Sequence, residues 1–586
     1  MAFLDKILKK KYGWLLVVGL FAVLTFATSL LRYKIDLTAE KRFTITQPSK
    51  DLLSQLEEPV DVQIFLTGDL PPDYKKLSVA TQDLLEQYRD LSHNNVRFSF
   101  AKPGEDLTDS LRYNLYDSLA HLGVVFENNQ DVSEKDGRQS QQIIIPSALV
   151  SVAGKHPVAV DLRSSRTVFK NFNVVNDNPE PDKEATLNAA EALLEYKLSN
   201  AINKLTRKSV PTIAYAVGNG EPIDLTVNDL GEILRNDYRL GVFDLKSAYP
   251  NPDIINTLLV VKPTKTFSDT DKLKLDQYVM HGGKIIWFVD KQYAELDSLM
   301  NSKKDFVAYD RNLQLDDILF RYGVRLNSNL LQDLNCAKLP IVVGYNPDNS
   351  PRMQRMPWPY YPFLSSTNDN PISNNLDRVL SIFPSTMDTV AAEGIRKTVL
   401  LASDTNSRVL ASPAMVSLNS WQDDPDFRTF NRAHLPVAVL LEGKFKSLYA
   451  NRLTQADMDS VQADLGKPFL PQAEKDGQQI VVANAGIVTN GVMQTTGPLP
   501  MGELPFDQYR FANRDFLMNS VDYLTSTNRL FVARNKDFIL RLLDKQKVDT
   551  EKSTWQFVDI ALPILLIVAF GLLFQYIRKK KYQGNV

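Results

Sequence analysis

Two stretches of this chain carry no charge over eighteen residues: Trp14–Leu31, WLLVVGLFAVLTFATSLL, and Ile560–Ile577, IALPILLIVAFGLLFQYI. As helices rising 1.5 Å per residue, each is about 27 Å long, close to the hydrocarbon thickness of a bilayer. They read as two transmembrane helices. The alternatives are a cleaved leader and a buried core helix. The first stretch is long for a leader's apolar region and has no small-x-small cleavage site, and the second runs into RKKKYQGNV. Lys6, Lys9, Lys10 and Lys11 precede the first, and Arg578, Lys579, Lys580 and Lys581 follow the second. Basic flanks stay in the cytoplasm, so both termini are expected there, with the bulk of the chain on the other side.

That bulk is globular in composition. The 586 residues are 44% hydrophobic and 23% charged, too many for one core. A formal net charge of −2 does not suit a nucleic-acid binder, and one cysteine, Cys336, allows no intrachain disulfide. The fold class expected is α/β: a large multidomain extracytoplasmic region that includes a Rossmann- or flavodoxin-like parallel sheet, between one transmembrane helix near each end. The expected order is a cytoplasmic segment 1–13, a span 14–31, a first α/β domain 32–184, a connecting helix 185–207, a Rossmann-like domain 208–345, a third mixed α/β region 346–550, a span 557–577 and a basic cytoplasmic tail 578–586.

Local patterns support this division. Thr46 is placed to cap a short helix, and Val60, Val62, Ile64 and Leu66 alternate as in a strand. Ala185–Leu205 is rich in Ala, Leu and Glu and free of Gly and Pro, a strong helix that docks on or connects two domains. The clearest βαβ unit follows. TLLVVK is a strand, Ser268 or Asp269 caps a helix, Gly282-Gly283 ends it, and KIIWFVD is the next, parallel strand.

Motifs for chemistry are scarce. No P-loop is present, the five histidines are scattered, and no H-E-x-x-H or paired cysteine occurs, so no ATP hydrolysis, metal or cofactor is expected. Cys336 leads into a strand rather than sitting at a sharp turn, and no G-x-S-x-G occurs. Asn219, Gly220 and Glu221 in the turn after YAV, together with Asp290 after KIIWFV, mark a candidate cleft at strand C-termini. The alternative is a tight turn with solvated acids. MPWPYYPF offers Trp358, Tyr360 and Tyr361 either as an aromatic platform for polysaccharide or as an extended segment packed over a core.

DLTAEKRFTIT beyond the first span, PVDVQIFLTG, YAVGNGE, FSDTDKLKLDQYVMHGGKIIWFVD, KTVLLASDTNSRVL, PVAVLLEGKFKSLYANR and FLMNSVDYLTSTNRLFVARNKDFILRLLDKQKV occur in that order. Together with the span positions, this series resembles the gliding-motility-associated ABC-transporter proteins of the GldG type, from about residue 1 to 580. The resemblance implies an auxiliary, substrate-binding-type subunit in a bacterial inner membrane, non-enzymatic, working with separate permease and ATPase chains, with a periplasmic region related to the GIFT-type domain. Relatives often carry Gly-His-Gly-Glu where this chain has Asn219, and an Asp-Gly-Asp-like turn where it has Asn484-Ala485-Gly486. Arg32, Glu40, Lys41 and Arg42, close to the headgroups, form a candidate collar for a partner subunit or for membrane lipid. Cell-wall or motility components are further partners to consider. The competing functions are a degenerate amidotransferase-like enzyme and a periplasmic anchor gripping cell-wall polysaccharide.

Overall fold

The computed structural model describes residue 19 and residues 44–132, 139–163, 183–295, 305–417, 427–507, 509–525, 529–535 and 545–583. The first apolar segment, Gly19 apart, and the collar residues Arg32, Glu40, Lys41 and Arg42 lie outside the described residues. The chain divides into two compact units, one ending at Phe538 and the other beginning at Ile539.

The first unit opens with a four-stranded sheet. Strand β1 (Val60–Ile64) alternates buried and exposed residues, which sends Val60, Val62 and Ile64 inward and Asp61 and Gln63 outward. It pairs parallel with β2 (Val96–Phe100) and antiparallel with β3 (Ser147–Val152), which carries β4 (Val158–Asp161) at its far edge. Helices α1 (Gln47–Ser54), α2 (Pro72–Leu91) and α3 (Lys183–Thr206) share this core. The expected connecting helix is therefore α3, and it docks: Leu194, Leu198, Ala201 and Ile202 are buried against the sheet's own apolar residues. Thr46 occupies the N-cap position of α1, but its hydroxyl makes no cap. It donates instead to Glu195 Oε1 of α3 at 2.6 Å, joined by its own backbone N–H at 2.8 Å.

Beyond α3 lies a seven-stranded sheet. Its strands are β5 (Thr212–Val217), β6 (Arg239–Asp244), β7 (Thr257–Val261), β8 (Lys284–Phe288), β9 (Ile395–Ala402), β10 (Pro436–Gly443) and β11 (Gly477–Val482), in the order β9-β10-β11-β8-β7-β5-β6. The five strands from β6 to β11 are parallel, and their chain order across the sheet is 2-1-3-4-5, the flavodoxin-like order. Strand β7 is buried along its whole length, as a central parallel strand should be. The expected βαβ unit is β7, α4 (Asp269–Met280) and β8. Ser268 caps α4 in a full capping box with Asp271.

The boundary expected at 345/346 does not divide this sheet. Strands β9, β10 and β11 come from the third region, and one hydrophobic core runs from Ile213 to Leu524. A parallel β8 needs a covered neighbour on its open side. The chain supplies it only after a long excursion, when β11 returns to pair in register with Ile285–Phe288.

MPWPYYPF lies in the long strand Pro351–Leu364, which is hairpinned with Cys336–Tyr345. Trp358, Tyr360 and Tyr361 are at most 3% exposed, packed in a separate aromatic core with Phe383 and Phe511. Their faces are spent on packing, so they form no platform for polysaccharide.

The second unit is described through α5 (Lys545–Gln583). Its segment Trp555–Lys580 is long and apolar enough to cross a membrane, with a mean hydropathy of 2.6 and none of it buried within the chain.

Candidate functional site

In an open α/β sheet, ligands settle outside the carboxyl ends of the strands, where the strand order reverses. Here that point lies between β5 and β7. The turn Gly218-Asn219-Gly220-Glu221 follows β5, and the loop 262–268 follows β7. The two are bonded to each other. Thr264 and Lys265 donate their backbone N–H groups to Asn219 O at 3.0 and 2.8 Å, and Thr264 Oγ1 donates to Gly220 O at 3.0 Å. Gly220 sits at φ +82°, and a Cβ there would lie 2.2 Å from Thr264 Oγ1, so only glycine lets the turn approach so closely.

The side chains complete the plug. Asn219 is wholly buried and Glu221 nearly so. Glu221 Oε2 accepts the Asn219 N–H at 2.7 Å. Burial pushes the Glu221 carboxyl up from its ordinary value, while the backbone N–H groups and Lys246 pull the other way. Asp271 Oδ2 accepts from Lys246 Nζ at 2.5 Å and from the Ser268 N–H at 2.8 Å. Burial raises the Asp271 carboxyl, but Lys246 and Ser268 outweigh it and hold it below the usual range. Neither Lys246 nor Asp271 stood out in the sequence as a site residue. The sequence places the helix cap at Ser268 or Asp269 without singling out Asp271, and nothing near Lys246 signals a pairing across the turn.

Asp290 belongs to the same edge of the sheet but to a different network. Its Oδ1 accepts the Ala485 N–H at 2.6 Å and Asn484 Nδ2 at 3.1 Å, which ties the end of β8 to the end of β11. Asn484 in turn donates to Ile382 O at 2.6 Å and accepts the Ile382 N–H at 3.1 Å. Burial raises the Asp290 carboxyl, with nearby Lys262 opposing. Among the described residues no hydrogen bond joins Asp290 to Asn219 or Glu221. The structure therefore brings Asn219, Gly220 and Glu221 together and places Asp290 apart, beyond the intervening strand β7. The crevice is filled by the protein's own loops. The turn Asn484-Ala485-Gly486 is a brace for Asp290.

Cys336 is buried, and burial together with Asp333 pushes its thiol far above the ordinary value. A thiol so held is a poor nucleophile. No cluster of three or more His, Cys, Asp or Glu side chains able to hold a metal occurs among the described residues.

These features define an α/β protein with a self-filled switch point and an uncovered apolar helix, and comparison with known proteins assigns it to a transport class. Residues 210–520 match the ABC-transporter auxiliary family described as "ABC-type uncharacterized transport system", and the chain belongs to that family. Residues 39–151 match a second family, a domain of unknown function (DUF7088). An uncharacterized protein of Borreliella burgdorferi is 22% identical over 442 residues, which cover 73% of this chain and 76% of the relative. Among solved structures, the N-terminal domain of mmIFT52 is 11% identical with a TM-score of 0.30, covering 54% of this chain and 97% of that one. An exo-β-1,4-mannosidase, Op5Man5 from Opitutaceae bacterium strain TAV5, is 8% identical with a TM-score of 0.21, covering 52% and 36%. Neither score carries an argument about fold or function. The transport family and the apolar helix together point to association with a membrane.

Proposed function

We propose that this chain is a membrane-anchored, substrate-binding-type auxiliary subunit of an ABC transporter linked to gliding motility, acting with separate permease and ATPase chains. Its termini are cytoplasmic, and residues between the spans are periplasmic. The observation that carries the reading is Trp555–Lys580: a 26-residue, largely apolar helix, in a member of an ABC-type transport family, with no residue of its apolar stretch buried within the chain. Lipid or partner helices must cover it. The chain holds no nucleotide-binding motif, so energy has to come from another subunit. The motility link rests on the ordered sequence resemblance. The collar Arg32, Glu40, Lys41 and Arg42 is proposed to meet the partner subunit.

A degenerate amidotransferase-like enzyme is less well supported, because Cys336 is buried with its thiol raised and the switch-point crevice is filled. The test is affinity purification of the full-length chain in mild detergent, with mass spectrometry of what accompanies it. A multi-span permease and a P-loop ATPase are expected, and a chain lacking Trp14–Leu31 and Ile560–Ile577 should lose both. Recovery of the full-length chain without either partner would overturn the assignment.

A further inference from the structure

A groove of about 660 Å³ in the first unit lies between the short helix Asp316–Tyr322, the strand Val324–Leu326 that follows it, and the turn 448–452. Leu326 and Leu448 give it a buried apolar lining, and Phe320 stands beside them 52% exposed. A ring left half in water next to buried leucines is apolar surface that the chain does not cover itself.

Four basic side chains line the same groove, Lys291, Arg321, Arg325 and Arg452, with two acidic ones, Asp316 and Asp317. Both carboxylates are already engaged. Asp316 Oδ1 accepts from Lys291 Nζ at 2.5 Å. Asp317 Oδ2 accepts from Lys272 Nζ at 2.7 Å, and its Oδ1 accepts the Ile318 N–H at 2.8 Å. Arg325 pairs with Asp388 across its own strand pair. That leaves Arg321 and Arg452 with no carboxylate. Arg321 donates only its Nε–H, to Ser447 O at 3.3 Å, so its two terminal nitrogens have no partner among the described residues. Arg452 makes no side-chain hydrogen bond or ion pair among them. Both residues are exposed. Once the pairs cancel, the groove keeps these two positive charges, each on a planar fork that fits a carboxylate.

We propose that this groove docks an acidic segment of a partner protein, one that sets carboxylates on Arg321 and Arg452 and an aromatic or aliphatic side chain against Phe320. Charge complementarity selects the occupant, and the apolar anchor supplies the burial. A polyphosphate or a nucleic acid would bring its anions past Asp316 and Asp317 as well. A peptide spaces its carboxylates and fills the gap with an apolar side chain, so it avoids that repulsion.

The test is selection from a random dodecapeptide phage library on the full-length chain in phosphatidylcholine nanodiscs, with the Arg321→Gln/Arg452→Gln double variant for counter-selection. The peptides recovered are expected to carry at least two Asp or Glu around an aromatic or aliphatic residue. Their dissociation constants, read by fluorescence polarisation, are expected to rise about tenfold in Arg321→Gln, in Arg452→Gln and in Phe320→Ala, with the unfolding temperature unchanged. All three positions are exposed, so the fold should tolerate the changes. Recovery of no peptide that separates wild type from the double variant overturns the proposal. A recovered set without acidic enrichment does the same, as does binding unaltered in both single arginine variants. Tighter binding of tripolyphosphate or of an oligonucleotide at these arginines would replace the peptide by a phosphate ligand and also overturn it. Peptide binding is read without permease or ATPase, so the proposal stands or falls independently of the transporter assignment.

Discussion

A buried carboxylate needs donors on both oxygens, and Asp276 has them. Its Oδ1 accepts from Tyr322 OH at 2.9 Å and the Leu448 N–H at 3.0 Å, and its Oδ2 accepts from Ser447 Oγ at 2.6 Å and Gln277 Nε2 at 3.1 Å. All four donors are neutral, so burial dominates and raises the carboxyl's pKa. Asp276→Ala would leave several buried donors without an acceptor. It is expected to cost about 3 kcal/mol or more, read as a lowered urea midpoint, with Asp276→Asn costing less. Equal stability of Ala variant and wild type would show that water replaces the carboxylate.

Asp333 offers a pH-dependent counterpart. Burial pushes its carboxyl from 3.8 up to about 7, against the pull of backbone N–H groups of Asn335 and Asp404 and with the Asp404 charge adding to the rise. Its two oxygens accept those N–H groups at 2.8 and 2.7 Å. Because the folded value is the higher one, the folded state binds the proton more tightly. Stability is therefore greatest below about pH 4 for this group and falls as pH rises towards 7. A tenfold difference in proton affinity between folded and unfolded chain is worth about 1.4 kcal/mol, so a decline of a few kcal/mol is expected as an upper figure. Unfolding midpoints measured from pH 4 to 8 should carry this slope in the wild type and lose it in Asp333→Asn, whatever that variant's absolute stability. Parallel curves would mean that Asp333 titrates near its ordinary value.

At the scale of elements, the turn after β5 bonds to the loop after β7 at a distance that only a glycine at position 220 allows. Gly220→Ala adds a methyl group 2.2 Å from Thr264 Oγ1 at a φ of +82°. The expected cost is about 2 kcal/mol, with faster hydrogen exchange confined to 218–221 and 262–268. Exchange spread across the whole sheet would mean that the turn is part of the core's cooperative unit.

This same edge shows what a sequence can disclose. The alternation of Val60, Val62 and Ile64, the cap at Ser268 and the βαβ unit around α4 were legible because each depends on neighbours a few residues away. The turn at Asn219 and Glu221 was legible as a turn, since two glycines flank Asn219. That it closes its own crevice depends on Thr264 and Lys265, which pair with it across the fold. Asp290 lies just beyond the end of β8, and its partner Asn484 lies 194 residues on, a pairing that no local periodicity marks. The place of β11 beside β8 was hidden for the same reason. So was the choice of Thr46 to bond Glu195 instead of capping α1, which a sequence pattern cannot rank against the local option.

For the whole molecule, the question is how many membrane anchors hold it. Trp555–Lys580 is one candidate, long and apolar enough to cross a membrane, and Trp14–Leu31 is proposed as the second. Two anchors make the outer region a tethered scaffold, unable to shuttle as a free binding protein does. One anchor leaves its opposite end free. Deleting residues 553–586 separates these cases. With two spans, the shortened chain is expected to stay in the carbonate-resistant membrane pellet, since about eighteen apolar residues suffice for insertion, and only deletion of both segments should release it. Release by the C-terminal deletion alone would show that Trp14–Leu31 is not a retained span. The chain would then have one anchor and its opposite terminus outside. The collar at Arg32, Glu40, Lys41 and Arg42 would lose its position at the headgroups, and its proposed contact with a partner subunit would fall with it.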